Sequence, residues 1–531
     1  MAKGKACGTG PGDYFDLHGT SNASICRTPM NSLKRLSHLF LAVTSICMCS
    51  SAFAGWTRDT RRDQKMEAFE PPRVDLSRYK SVQTRTGQNE DLALAVAISG
   101  GGHRAGNFAA GVLLALEDFR GTDGQPLNIL REVDYFSTVS GGGFPVGVYL
   151  GTRSDEGSSA SYSFQAALNS NGERYLKNLR RDYQMTLLEA AFTPECIGYK
   201  DAGDLLEEKF DNYLLGAKYR ESGGSLVLSD VFREAASEKP VELPYWFANA
   251  TVYENGTRFV FTPGIISAYG IKQCTHRMKD FEIHRDGRNM PLAVGMKTSA
   301  SFPVLIPATT LKCSKTTDPL NPFLHLVDGG LVDNQGIYTA FEVLRQDPAK
   351  RKVLIVIDAF KGVSHPRSRW EASPSGPEMA VRIMKIALDS ARTRLEQTLA
   401  QEQHVPGSGA GDGRIEVVLL SFSALKPETV RKYDDLEDEI KKIDKEKFKG
   451  FLRRTQREVD SVINEIGWNK DDGEDDAENL SGMALYEDAR AVGTTLNITK
   501  AQQELLLKAG HEAVEQKRSF FEQHFPEENN D

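Results

Sequence analysis

Leu92-Ala93-Leu94-Ala95-Val96-Ala97-Ile98 is an unbroken apolar run of strand length that stops at Ser99-Gly100-Gly101-Gly102. An apolar run without alternation suits a strand covered on both faces, as in a parallel sheet. Beyond the glycines, Phe108, Val112 and Leu116 recur at every fourth position, which predicts a helix. The same order returns at Val133 to Val139, then Ser140-Gly141-Gly142-Gly143, then an apolar segment through Val146, Val148 and Leu150. Further strands are predicted over 245–252, 258–262, 352–357 and 415–422, and Phe323 to Val327 is a short apolar run ahead of a third glycine turn, Asp328-Gly329-Gly330. Buried strands alternating with helices predict an α/β fold with a mostly parallel central sheet.

Residues 155–235 read as a mainly helical insertion, while 361–378 (Ser/Pro-rich) and 403–413 (Gly-rich) read as loops. From Lys426 to Ile466 the chain is heavily charged, with Leu436, Ile440 and Ile443 on one helical face. A solvated amphipathic helix is expected there; a membrane-surface helix is the alternative, because Lys441, Lys442, Lys445, Lys447 and Lys449 cluster. The acidic run Asp471 to Glu478 lacks the ligand alternation of a calcium loop and reads as a solvated turn. The last helix is predicted to start at Thr499, where Gln502 completes a capping box ahead of Leu505-Leu506-Leu507.

Near the start, Lys34 and Arg35 precede an apolar run from Leu36 to Met48, and Ala52-Phe53-Ala54 closes it with small residues where a signal peptidase reads. A secretory signal peptide is expected, with Met30 as the start and export to periplasm, cell surface or medium. The rival reading is a single membrane anchor, for which the run is short against the roughly 20 residues of a bilayer span. The expected division is a leader over 1–54, a polar linker over 55–90, a catalytic body over 91–425 containing the helical insertion, and a charged helical C-terminal region over 426–531.

Composition narrows the function. At 40% hydrophobic and 26% charged residues the chain is ordinary for a globular protein, and a net charge of −8 argues against a dedicated nucleic-acid binder. Of the seven cysteines, only Cys196, Cys274 and Cys313 lie beyond the leader, too few for a disulfide scaffold. Neither C-x-x-C nor H-E-x-x-H spacing occurs, so no metal site is expected.

Three glycine turns carry candidate chemistry. Thr138-Val139-Ser140-Gly141-Gly142 fits a nucleophile elbow with threonine in place of the first glycine; a sharp strand-to-helix turn lifts the serine hydroxyl clear, and small neighbours permit the turn. A helix starting just after Ser140 aims free N–H groups and partial positive charge at a developing anion. In Gly100-Gly101-Gly102-His103-Arg104, consecutive glycines let N–H groups converge as in an oxyanion hole, and Arg104 can hold the loop or add positive charge. The same letters also read as G-x-G-x-x-A (Gly100, Gly102, Ala105), a dinucleotide fingerprint with Glu117 or Asp118 as the ribose acid. Asp328-Gly329-Gly330-Leu331-Val332-Asp333-Asn334 places an acid against two glycines at a strand end, where it can approach a serine hydroxyl and accept its proton.

In this order, oxyanion glycines, serine elbow and Asp-Gly-Gly, the motifs resemble the patatin-like phospholipase family, with Arg104 and Val-Ser-Gly-Gly-Gly closer to its cytosolic phospholipase A2 branch. Lys297-Thr298-Ser299-Ala300-Ser301-Phe302-Pro303 and Phe247-Ala248-Asn249-Ala250-Thr251 are similar to further family segments, so the resemblance spans about residues 92–360. It implies a three-layer α/β/α sandwich and a Ser-Asp dyad, here Ser140 and Asp328, with Gly100, Gly101, Gly102 and Arg104 at the oxyanion hole. It also implies a lipid acyl hydrolase working on membrane or micellar lipid through an acyl-enzyme, without cofactor. Thr138, the long insertion before residue 240 and the unmatched C-terminal part depart from the pattern. His103 and His325 are expected to be structural or solvent-facing rather than the base, and His276 and His284 have no evident partner. The alternatives are a non-catalytic lipid- or partner-binding protein on the same fold, and the nucleotide binder. Headgroup, acyl position and oligomeric state are left open by the residues.

Overall fold

The computed structural model describes residues 71–82, 91–156, 162–190, 201–220, 224–275, 287–303, 305–313, 323–360, 414–422 and 492–525, with single positions or pairs between them. The leader, with its apolar run, and the charged stretch 426–466 lie outside the described residues. Among the described residues no helix is long and apolar enough to cross a membrane.

The described strands form one mixed sheet: β1 (Leu92–Ile98), β2 (Tyr135–Thr138), β3 (Tyr245–Val252), β4 (Arg258–Val260), β5 (Ile271–Thr275), β6 (Phe281–Glu282), β7 (Thr309–Cys313), β8 (Phe323–Asp328), β9 (Arg351–Asp358) and β10 (Ile415–Ser421). The order is β10-β9-β1-β2-β3-β8-β7-β5-β6, with β4 beside β3. The block β10-β9-β1-β2-β3 is parallel, and β8, β7, β5 and β6 extend it antiparallel. Successive strand side chains point to opposite faces. All seven residues of β1 are buried, so helices cover the sheet on both sides, as the unbroken apolar run predicts.

Helix α1 (Gly102–Glu117) follows β1, and α2 (Gly143–Glu156) follows β2. The insertion is helical over α3 (Phe164–Leu179), α4 (Gln184–Ala190) and α5 (Ala202–Tyr213). Next come α6 (Leu292–Ser299), α7 (Ile337–Gln346), α8 (Lys500–Glu515) and α9 (Arg518–His524). Helix α8 begins at Thr499 with the capping box to Gln502 that the sequence predicts.

Two boundaries differ from expectation. The body begins at Pro71, inside the stretch expected to be a linker. Val74, Tyr79 and Val82 are buried, and Tyr79 packs on Phe232 and Tyr245, so three apolar side chains outweigh the polar average of the stretch. At the other end, α8 crosses α1 so closely that a Cβ on Gly510 would stand 2.4 Å from the Phe108 carbonyl, and one on Gly111 would stand 2.2 Å from that of Leu507. Residues 492–525 therefore belong to the same core as β1.

Register sets the site. Ile98 lies opposite both Thr138 and Ile357, so the glycine turn after β1, the elbow after β2 and the end of β9 emerge at one level. Thr138 pairs with Ala248 on β3, and Ala250 pairs with Asp328 on its other side. Two residues beyond Thr138, Ser140 thus comes up beside Asp328.

Candidate active site

Ser140 has φ 51°, a left-handed conformation that is uncommon for a residue with a side chain and is characteristic of a strained elbow. Its amide donates to Ser299 Oγ at 2.9 Å, which pins the strained peptide from α6. The following glycines are required by contact: a Cβ on Gly141 would stand 2.1 Å from the Gly102 carbonyl, and one on Gly142 would stand 2.5 Å from that of Ser99. A 3-10 turn over Ser140–Gly142 runs into α2, so the helix N-terminus sits at the serine.

Thr138, the departure from the usual glycine, is buried, and its Oγ1 accepts the indole N–H of Trp246 at 2.8 Å. Gly143 leaves room for that hydroxyl, since a Cβ there would stand 3.2 Å from it. Asn249 ties the layers together: its amide nitrogen donates to Ser137 Oγ and the Thr138 carbonyl, and its oxygen accepts from Thr339.

Asp328 is buried and accepts the Gly330 amide at 2.7 Å. Burial pushes its carboxyl up to about 7, against the pull of the Gly330 amide and the Ser140 hydroxyl. Its main chain is fixed by donation to the Ser301 carbonyl at 2.9 Å and by acceptance from Thr251 Oγ1 at 2.8 Å. Gly329 lies so close to β3 that a Cβ would meet the Asn249 carbonyl at 2.3 Å. Asp333, five residues on, is spent on backbone amides of Gln335, Gly336 and Tyr338 and caps α7.

The glycine turn packs against the elbow, but its residues differ in what they offer. The Gly100 amide donates to the Asn334 carbonyl at 2.9 Å, so it is unavailable to a substrate anion, contrary to expectation. Gly101 and Gly102, with φ of 149° and 59°, have no backbone acceptor for their amides among the described residues. Arg104 is buried with Nη2 3.2 Å from the Cβ position of Gly101; Nε donates to the Ala359 carbonyl at 2.9 Å and Nη1 to that of Val492 at 3.1 Å. Of its two expected roles, these bonds are those of holding the loop.

Neither histidine reaches the serine. His103 is buried with Nε2 on the Arg181 carbonyl at 2.8 Å, and burial pulls its ring down to about 4. His325 is half-exposed and pairs through Nδ1 with Glu254 at 2.5 Å, which raises its pKa. Glu117, the acid of the dinucleotide reading, accepts the amides of Phe164 and Gln165 at the start of α3, and the Thr495 backbone covers Gly102 where a pyrophosphate would have to approach. Among the described residues no cluster of three or more His, Cys, Asp or Glu side chains is placed to hold a metal ion.

Ser299, Asn249 and Asn334 complete the site without having been assigned roles from sequence. Each is a small polar residue inside a motif, and its part is to satisfy another chain segment, which no spacing rule encodes.

Residues 96–341 match a family model described as patatin-like phospholipase. No curated protein matches the chain. Among solved structures it is similar to human GIVD cytosolic phospholipase A2, at 14% identity and TM-score 0.40 over 82% of this chain and 60% of that one. The same human enzyme in complex with methyl gamma-linolenyl fluorophosphonate aligns at 14% identity and TM-score 0.38, over 82% and 59%. The chain thus spans about three fifths of the length of these structures.

Proposed function

Residues 96–341 form a patatin-like phospholipase domain, and from that premise we propose that this protein hydrolyses acyl esters of phospholipids or lysophospholipids with Ser140 and Asp328 as a catalytic dyad. The observation that carries the reading is a buried Asp328 carboxyl whose pKa is influenced by the hydroxyl of Ser140, a serine held at positive φ.

Ser140 Oγ attacks the ester carbonyl carbon while its proton passes to Asp328. The carbonyl oxygen becomes an anion facing the free amides of Gly101 and Gly102 and the N-terminus of α2. When the tetrahedral species collapses, the ester C–O bond breaks and the departing alcohol takes the proton from Asp328. Water then attacks the acyl-serine, gives its proton to Asp328 and releases the fatty acid as Ser140 recovers its own. A carboxyl raised to about 7 suits both directions of transfer, because it is neither a spectator base nor a permanent acid at neutral pH. A binding protein without turnover has no use for this strain and desolvation. The proposal includes export through the segment before Gly55, so that the enzyme meets lipid outside the cytoplasm.

The test is a fluorophosphonate probe with mass mapping of the adduct, beside a panel of phospholipids, lysophospholipids and glycerides. Labelling at Ser140 and fatty-acid release from the panel are expected; an adduct on another serine, with Ser140→Ala still active, contradicts the reading.

A further inference from the structure

Three backbones are stacked at the glycine turn with no side chain between them. A Cβ on Gly102 would stand 2.3 Å from the Thr495 carbonyl, and one on Gly141 would stand 2.1 Å from the Gly102 carbonyl. Residues 492–498 therefore lie on one side of Gly102 and the serine elbow on the other. The Thr495 carbonyl also accepts the His103 amide at 2.7 Å, and Val492 accepts Arg104. A helix start leaves its first amides without intrahelical partners. Here the C-terminal segment takes the amide just past Gly102 and leaves those of Gly101 and Gly102 to the site.

The segment is itself anchored. Tyr183 N donates to the Leu496 carbonyl at 2.8 Å, Asn497 Nδ2 to Asp182 at 2.9 Å, and Thr495 Oγ1 to the Asn497 carbonyl. Behind it, α8 is locked to α1 through Gly111 and Gly510, and Gln503 donates to buried Asn107 at 2.8 Å. Residues 492–498 and α8 themselves lie outside the family-matched stretch, which ends at residue 341, while their partners lie within it.

We infer that residues 492–498 are a positioning strap for the reaction: they set the height of the Gly101-Gly102 amides over Ser140, so that catalysis depends on a segment some 150 residues beyond the matched domain. The strap touches no substrate atom and acts through Gly102. The inference rests on the dyad reading, and the two fail separately, because the strap variants leave Ser140 and Asp328 intact.

The test uses the full chain with Thr495→Gly combined with Asn497→Ala, which removes two strap anchors, and Gly510→Val, which forces α8 off α1. Hydrogen exchange at the His103 amide reports the strap contact, and hydrolysis of p-nitrophenyl butyrate reports the site. Faster exchange at His103 is expected together with a kcat lower by roughly 10- to 100-fold at nearly unchanged KM, since small misplacements of catalytic groups cost about that much. Where Gly510→Val does not fold, the double variant decides. Faster exchange at His103 with unchanged kcat overturns the inference, as does a His103 amide that neither variant loosens.

Discussion

The Ser140 amide donates to Ser299 Oγ at 2.9 Å, so the backbone N–H of Ser140 is itself committed to holding the elbow. The Gly142 amide donates to the Val139 carbonyl and that of Gly143 to carbonyls of the same turn, so on the proposed mechanism anion binding falls to the Gly141 amide and the facing glycine turn.

Removing that bond with Ser299→Ala costs about 1 kcal/mol of stability, the usual worth of one such bond. Its larger effect falls on the reaction, because the strained Ser140 peptide is free to relax. A kcat reduced roughly tenfold with unchanged KM is expected, reading the loss as positioning; Ser299→Thr, which keeps the hydroxyl, restores most of it. Steady-state kinetics on a water-soluble ester checks this.

Asp328 makes activity and stability depend on pH in opposite directions. In the proposed dyad activity requires the carboxylate, so kcat/KM is expected to rise as pH passes upward through about 7. Its folded pKa lies above the unfolded value, so the stabilisation it gives is fully present below about pH 4 and is lost as pH rises through about 7. Asp328→Asn is therefore more stable than the parent above pH 7, by a few kcal/mol at most, and the difference vanishes near pH 4. Thermal melts of both proteins from pH 4 to 8 measure it.

The candidate site was legible because each motif follows a strand: β1 is an unbroken apolar run, β2 and the end of β8 are buried, glycines come at or just after each turn, and parallel or paired register brings such ends together. The candidates Gly101, Gly102, Ser140 and Asp328, on which the proposed mechanism rests, are named on that ground. Gly100 could not be told from its neighbours, since its amide is taken by Asn334, more than 230 positions away. The packing of 71–82 and 492–525 on the core was hidden for a similar reason. Val74 and Tyr79, or Gly111 and Gly510, announce burial only once their partners from the other end of the chain are known.

His103→Asn and His325→Ala should each keep at least about a third of the parental kcat/KM, because neither ring bonds the serine. His103→Asn loses stability, since a packed ring against Phe144 and Tyr183 is given up. A folded histidine variant as inactive as Ser140→Ala would make that histidine the base.

The dyad is tested most directly by a double-mutant cycle in kcat/KM on one acyl ester, using Ser140→Ala, Asp328→Asn and the two together. Groups that act as one unit are not additive. Each single variant is expected to lose about four orders of magnitude or more, and the double variant to be no worse than the poorer single one. An Asp328→Asn enzyme within tenfold of the parent, or losses that multiply in the double variant, would contradict the account.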